Sequence, residues 1–498
     1  MVLWAVLAAF GLLAILAVVG LVRFIRDAAW LTRDLGPQPS FLEHDTGGPL
    51  SFPLGFLWGA ATAAHQVEGG NTRNDWSLWE QGRDSRGRCR IADCQVSGQA
   101  ADQFHRFRDD FDLAAKDGHT LYRLSLEWSR LEPEPFRWAP EAVAHYRAVL
   151  LELRKRDIQP MVTLFHFTSP SWLAERGGWE APEAVEHFER YARFAGETFG
   201  DLVDLWVTVN EPAIYALNSY LQGLWPPGKT SARSTVRVMA NLALAHRRAY
   251  QALHEADQAD ADGDGVSALV GIAQHIRVYS PLDPHSIRDR TVARFYDFVM
   301  NEWVLDVAAT GRLRLVLPPI AFFWRSEPGP QDSLDFLGVN YYSRDLVAFD
   351  LRSPGAFFGR RTYDPSRHEY SELGRDFEIY PSGLYSAVKQ LHRRYPGKPI
   401  YITENGVSDN TDKVRGRFIL EHLYQVWRAL QEGAPVRGYA YWSLTDNFEW
   451  ELGFTTRFGL YRVDWATLER VPTRGSQIYA TIVRANALPP SMKEMAKK

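Results

Sequence analysis

Residues 204–212 read DLWVTVNEP, and residues 399–406 read PIYITENG. Each is a short apolar run, rich in β-branched and aromatic side chains, that ends on a carboxylate: Glu211 in the first and Glu404 in the second. Such runs suit a strand buried on both faces. Six more punctuate the chain: FLWGAATAA (56–64), LYRLSLEW (121–128), PMVTLFHF (160–167), LVGIAQHI (269–276), LDFLGVNYY (334–342) and GYAYWSL (438–444). Amphipathic stretches of helical length separate them. Eight buried strands alternating with helices predict an α/β fold, a (β/α)8 TIM barrel. A doubly wound open sheet competes, but no GxGxxG or P-loop follows the first strand.

The composition fits one large domain. The chain has 498 residues, 46% of them hydrophobic. Barrels of this class routinely exceed the ~150 residues expected per domain. Lys+Arg 56 against Asp+Glu 60 gives a net charge of −4, which argues against a nucleic-acid partner held by phosphate neutralisation. Aromatics reach 13%, with 17 Trp, more than a core alone requires.

The sequence divides into a transmembrane anchor (1–26), a tether (27–50), the catalytic barrel (51–488) and a solvated tail (489–498) ending in MKEMAKK. The anchor rests on residues 1–22, which carry no charged side chain and are long enough to span a ~30 Å hydrocarbon layer as a helix. A cleaved signal peptide would show positive charge before a shorter apolar run and a small-residue cleavage site. Arg23, Arg26 and Arg33 follow the run, so the positive-inside rule predicts a single-pass membrane protein with its barrel in the cytoplasm. Cys89 and Cys94, the two cysteines, could bridge locally, but two do not make a disulfide scaffold, and free thiols are expected. The run Asp260, Asp262, Asp264-Gly265 has a calcium-loop spacing, yet position twelve is Gly271, and an acidic surface turn is expected.

Polar and aromatic residues gather at the C-terminal ends of the predicted strands: His166, Asn210-Glu211, Asn340 with Tyr342, Glu404 and Trp442. In a barrel that end is the catalytic face, where residues distant in sequence converge. A single Glu at a strand exit is usually a cap or an ion-pair partner. Two of them, on strands four and seven, suggest a paired-carboxylate site, whose main use without metal or cofactor is cleavage of a glycosidic bond. No HExxH or comparable histidine cluster points to a metal, and no cofactor is expected.

The segments TVNEP (208–212) and ITENG (402–406) resemble the two signatures of glycoside hydrolase family one, the β-glucosidase family. FLWGAATAAHQVEG (56–69), YRLSLEWSR (122–130), DFLGVNYY (335–342) and YWSLTDNFEW (441–450) match further family segments in the same order. The resemblance implies double displacement with retained configuration: Glu404 as nucleophile, Glu211 as acid and then base, the two carboxyls ~5–5.5 Å apart. It implies that Arg123 and Tyr342 orient the nucleophile. Gln66, His166, Asn210, Asn340, Trp442, Glu449 and Trp450 are implied to bind sugar, with Phe458 at the aglycone entrance.

Two segments depart from the common pattern: His166-Phe167-Thr168 stands where His-Trp-Asp is usual, and Glu127 in SLEWSR replaces a small or aliphatic residue. Both features, with 369–385 and 403–412, are similar to the archaeal branch and to the plant sensitive-to-freezing branch of membrane-anchored galactolipid galactosyltransferases, although the long plant insertion before strand two is missing. The implied substrate is a β-glucoside or β-galactoside, lipid-linked forms included. Transglycosylation between galactolipids is one alternative. A catalytically idle glycan-binding module is another, disfavoured because both glutamates are present.

Overall fold

The computed structural model of the protein describes residues 39–44, 47–317 and 320–497. Among them, eight parallel strands close a barrel: β1 Leu57–Ala61, β2 Leu121–Ser125, β3 Gln159–Phe165, β4 Leu205–Asn210, β5 Leu269–His275, β6 Phe336–Asn340, β7 Ile400–Asn405 and β8 Val436–Trp442. Each lies within a predicted run or overlaps it, so the expected (β/α)8 barrel is the fold observed. Helices return the chain between strands: α1 Gln103–Lys116, α2 Pro140–Arg154, α3 Glu183–Phe199, α4 Ala232–Ala256, α5 Ile287–Asp297, α6 Pro381–Arg394, α7 Arg415–Gln431 and α8 Arg474–Ala485.

Local chemistry sets where these helices start. Pro140 and Pro381 occupy first-turn positions, where a missing N–H costs nothing. The side chains of Ser231, Ser286 and Thr473 cap α4, α5 and α8 by accepting from a backbone amide three residues on.

Strand alternation then sorts side chains into two cores. Tyr122 points outward onto Phe111 of α1, ring centroids 4.9 Å apart. Arg123, its neighbour, points into the barrel. The floor of the interior is apolar, with Leu121, Met161, Leu205, Phe336 and Tyr401 in one cluster. The much larger core lies between strands and helices and includes Trp206, Tyr215 and Phe188.

Three expectations about the periphery change. The segment 27–50 is not a tether throughout, because its described part is docked: Phe41 is fully buried, and Glu421 of α7 accepts from the Ser40 hydroxyl (2.7 Å) and the Phe41 amide (3.0 Å). The C-terminal tail is not simply solvated either. Met492–Lys497 is a helix, Met492 is buried, and the Lys493 ammonium donates to the His44 carbonyl. Both segments carry apolar residues that cover the outer surface of the barrel. Third, Cys89 and Cys94 form a disulfide rather than free thiols, because the turn at Ala92–Cys94 brings their Cα atoms within 5.2 Å. The expected spanning segment 1–26 lies outside the described residues, and among those described no helix is long and apolar enough to cross a membrane. The acidic turn is as expected: Asp260 accepts from the amides of Gly263 and Gly265 at 2.7 and 2.9 Å.

Candidate active site

Glu211 sits where β4 ends and a short helix, Pro212–Ala216, begins. Pro212 fixes that helix's first turn and disfavours right-handed helical backbone at the residue before it. Glu211 takes the left-handed region instead (φ 43°, ψ 57°), uncommon for a residue with a Cβ. Backbone strain of this kind persists where surrounding contacts over-determine it, and it concentrates at functional sites. Its carboxylate accepts from the Asn340 amide of β6 at 2.8 Å and lies 3.2 Å from His275 Nδ1 of β5.

Glu404 projects from β7 into the same space and is held by a different kind of donor. The Arg123 guanidinium reaches Oε1 at 2.5 Å, and the Tyr342 hydroxyl donates to Oε2 at 2.7 Å. Arg123 is fully buried and spends its remaining donors on Asn210 Oδ1 (2.7 Å), Thr163 Oγ1 (3.1 Å) and the Thr403 carbonyl (3.2 Å). A charge this deep is stable only when paired and hydrogen-bonded, and here it is both. One network thus ties β2, β3, β4, β6 and β7 together around the two carboxylates.

The electrostatics oppose one another. Burial raises Glu404 above the ordinary carboxylate range and the nearby Glu211 adds to the rise, while Arg123 and Tyr342 pull it back toward ionisation. Burial, with the Glu404 and Glu211 charges, raises the Tyr342 phenol well above its usual value, so it remains a donor at neutral pH. Burial first, then Arg123, depresses His166 far below the ordinary imidazole range, leaving a neutral ring.

These groups face a cavity of about 670 Å³, within the range of small-molecule sites. His166, Glu211, Tyr342, Glu404, Trp442, Glu449, Trp450 and Phe458 all line it. His166 is sandwiched between the indoles of Trp442 and Trp450, with centroids 5.8 and 6.2 Å away and both planes within 17° of parallel. Among the described residues its Nδ1 is buried without a partner, as is Oε1 of Gln66. Gln66 uses its amide on Asn447 and the Phe448 carbonyl, at 2.9 and 3.0 Å, and approaches Glu449 at 3.4 Å. Glu449 also accepts from the Trp442 indole at 3.1 Å. Unpaired polar atoms beside indole faces suit a ring that presents hydroxyls on its rim and C–H groups on its faces. Phe458 stands edge-on to Tyr342, centroids 6.3 Å apart, on the cavity wall.

Asn340, expected to bind sugar, is hydrogen-bonded among its neighbours in the site. Its amide donates to Asn210 at 3.0 Å and Glu211 at 2.8 Å, and its oxygen accepts from Thr403 at 2.6 Å. Like Gln66 and Asn210 it is fully buried and absent from the cavity wall, and its hydrogen bonds position the two residues beside it. Sequence reasoning passed over His275. The signal was present, since it is the polar residue at the C-terminal end of the run 269–276, like the others that were noticed. The two departures prove to be one feature: Glu127 is buried and accepts from Thr168 Oγ1 at 2.9 Å and Ser129 Oγ at 2.7 Å.

Comparison with known proteins fits this geometry. The family model for Glycosyl hydrolase family 1 matches residues 49–488. Beta-glucosidase A of Thermotoga maritima is 31% identical, over 88% of this chain and 98% of its own. The beta-galactosidase of Pyrococcus woesei is 30% identical, over 89% and 99%. The chloroplastic galactolipid galactosyltransferase SFR2 of Arabidopsis thaliana is 32% identical over 75% of this chain but only 56% of its own length. Among solved structures, the beta-glycosidase from Pyrococcus horikoshii superposes with a TM-score of 0.79 at 36% identity, covering 90% of this chain and 98% of that one. With two carboxylates on strands four and seven, set about a cavity lined with indoles, this chain belongs to glycosyl hydrolase family 1 and is a retaining glycoside hydrolase.

Proposed function

We propose that the protein is a membrane-anchored retaining β-glycosidase that acts on β-glucosides or β-galactosides, lipid-linked ones included, with its barrel on the cytoplasmic side. The observation that carries the assignment of roles is the asymmetry of donors. Glu404 is met by a guanidinium and a phenol, which favour a carboxylate poised to attack, whereas an amide and an imidazole meet Glu211.

In the first step a Glu404 oxygen attacks the anomeric carbon while Glu211 gives its proton to the departing oxygen. Glu404 is then esterified and uncharged, so ionisation of Glu211 no longer opposes a like charge. Glu211 takes a proton from water, the hydroxide adds to the anomeric carbon, and Glu404 departs as a carboxylate. Gln66, His166, Asn210 and Glu449 supply polar contacts to the sugar, and Trp442 and Trp450 its stacking surface, with Phe458 toward the aglycone. Glu404→Gly should abolish hydrolysis of an aryl β-glucoside and recover part of it with azide, which replaces the missing nucleophile. Undiminished activity in that variant would reject the assignment.

A second reading keeps the same intermediate and passes the sugar to another glycolipid instead of water. The partial likeness to the plant galactosyltransferase favours it. Incubation with a galactolipid separates the two, oligogalactolipid marking transfer and free galactose marking hydrolysis.

A further inference from the structure

Between β5 and β6 the chain makes an antiparallel hairpin, Arg312–Leu317 paired with Ala321–Ser326, that no catalytic role requires. Its two faces differ in use. On the inner face Leu313 is fully buried, and Leu315 and Leu317 line the catalytic cavity, as do Val236, Met239 and Trp303. These five wall residues are apolar and offer contact to the alkyl part of a ligand. The hairpin is pinned there by the Trp303 indole, which donates to the Arg314 carbonyl at 3.0 Å.

The outer face is the unusual one. Register places Arg312 opposite Ser326, Arg314 opposite Trp324, and Val316 opposite Phe322. Phe322 is 74% exposed, Trp324 64% and Val316 49%. Toward the turn the face is purely apolar, at its middle an indole lies beside a guanidinium 5.0 Å from the ring centroid, and at its base it is polar and cationic. That gradient, hydrocarbon then indole and arginine, is the sequence of groups a bilayer presents from acyl chain to headgroup. A second copy of the chain would be met better by a flat apolar patch without the arginines.

We infer that the outer face of this hairpin rests in the interface of a lipid bilayer with anionic headgroups, its apolar end among acyl chains, so that the cavity wall formed by its inner face lies beside the membrane. The inference deepens the membrane reading given above and rests on it. It adds a contact that holds the barrel in one orientation, and it gives the alkyl part of a lipid glycoside a route to the site that need not cross water.

Because both cysteines are in the disulfide, a single Cys placed at position 322 can be labelled selectively. The full chain carrying Phe322→Cys, bearing an environment-sensitive fluorophore, is mixed with vesicles of phosphatidylcholine and phosphatidylglycerol with or without brominated acyl chains, and the floated fraction is read. We expect a blue shift and loss of emission in brominated lipid, and neither for the same label at exposed Arg352. Flotation without quenching overturns the hairpin contact alone. Failure to float overturns the anchor as well. A blue shift that brominated lipid does not quench assigns the face to protein, either a second copy or the chain's own N-terminal run, and equally overturns the inference. In a second readout, the triple variant Val316→Ser, Phe322→Ser, Trp324→Ser should hydrolyse a water-soluble aryl glycoside as the parent does, but show a raised KM toward a long-chain alkyl glycoside held in vesicles. Equal KM values would count against the contact.

Discussion

Glu449→Gln should stabilise the protein, and only above mildly acidic pH. Glu449 lies in the cavity wall with no cation as a direct hydrogen-bond partner, its contacts being the Trp442 indole at 3.1 Å and the Gln66 amide at 3.4 Å. Burial pushes its carboxyl from 4.5 up to about 8, with the Glu404 and Glu451 charges adding and the Trp442 and Asn447 hydrogen bonds opposing. Below about pH 4.5 the group is protonated in folded and unfolded chains alike and contributes no penalty. As pH rises toward 8 the unfolded chain ionises first, and the native state loses stability at ~1.4 kcal/mol per pH unit, for a ceiling of ~5 kcal/mol. Glu449 is half-buried on the wall of the cavity, and the screening this permits reduces that ceiling to roughly 2–3 kcal/mol. A glutamine keeps the shape and an acceptor for the indole without the charge. Parent and variant should therefore melt together at pH 4.5, and the variant a few degrees higher at pH 8, in scans at one fixed rate. Buried acids remote from Glu449 change with pH in both proteins and drop out of the difference. A difference in melting temperature that is the same at both pH values would refute the argument. On the proposed contact of Glu449 with the sugar, hydrolysis should fall in the same variant.

Tyr342→Phe removes one of two direct side-chain donors to Glu404; the loss of a hydrogen bond to a charged group, worth ~1.5–3 kcal/mol, should lower kcat/KM roughly 10–100-fold and move the acidic limb of its pH profile upward. An unmoved limb would show that the phenol does not support the ionised nucleophile. Cys89→Ser opens a short local loop and should cost about 2 kcal/mol of stability with kcat/KM unchanged, read by urea unfolding and aryl glycoside hydrolysis. Asn340→Ala should reduce kcat far more than it raises KM, because it removes a group that positions Asn210 and Glu211 rather than one that holds sugar; a KM effect alone would return Asn340 to the ligand.

The barrel was legible because each strand is buried on both faces, and double burial forces short continuous apolar runs that can be counted. The site was legible for a related reason. Side chains such as Glu211 and Glu404 stand at strand exits, where a polar group after an apolar run is conspicuous. What lay beyond reach were features set by contacts between distant segments. Phe41 reads as an isolated aromatic in a Pro- and Gly-containing stretch, and nothing local says that Glu421, nearly four hundred residues on, receives its amide. Asn340 looked like a sugar ligand by position, but Asn210, Glu211 and Thr403 claim its amide and its oxygen. Cys89 and Cys94 met because of the backbone at Ala92–Cys94, which spacing alone does not specify.

Glu127 and Thr168 show how two oddities can be one adaptation. A buried carboxylate needs donors, and Glu127 finds them in Thr168 and Ser129. Read separately, each substitution is an unexplained departure at a conspicuous segment. Read together, Thr168 is the donor that makes Glu127 tolerable, and Glu127 is the acceptor that satisfies the buried Thr168 hydroxyl. The pair also shapes the site at one remove, because Phe167, beside Thr168 in the chain, packs on Trp225 and Trp450 with centroids 4.8 and 5.3 Å away. A double-mutant cycle tests the link. Thr168→Val alone should destabilise, since it strands an acceptor of Glu127, and Glu127→Gln alone should cost less. The two together should fall short of the sum by ~0.5–3 kcal/mol, the range for groups in direct hydrogen-bond contact. Strict additivity would mean that the two departures are independent after all, and that the reshaped wall beneath Trp450 owes nothing to Glu127.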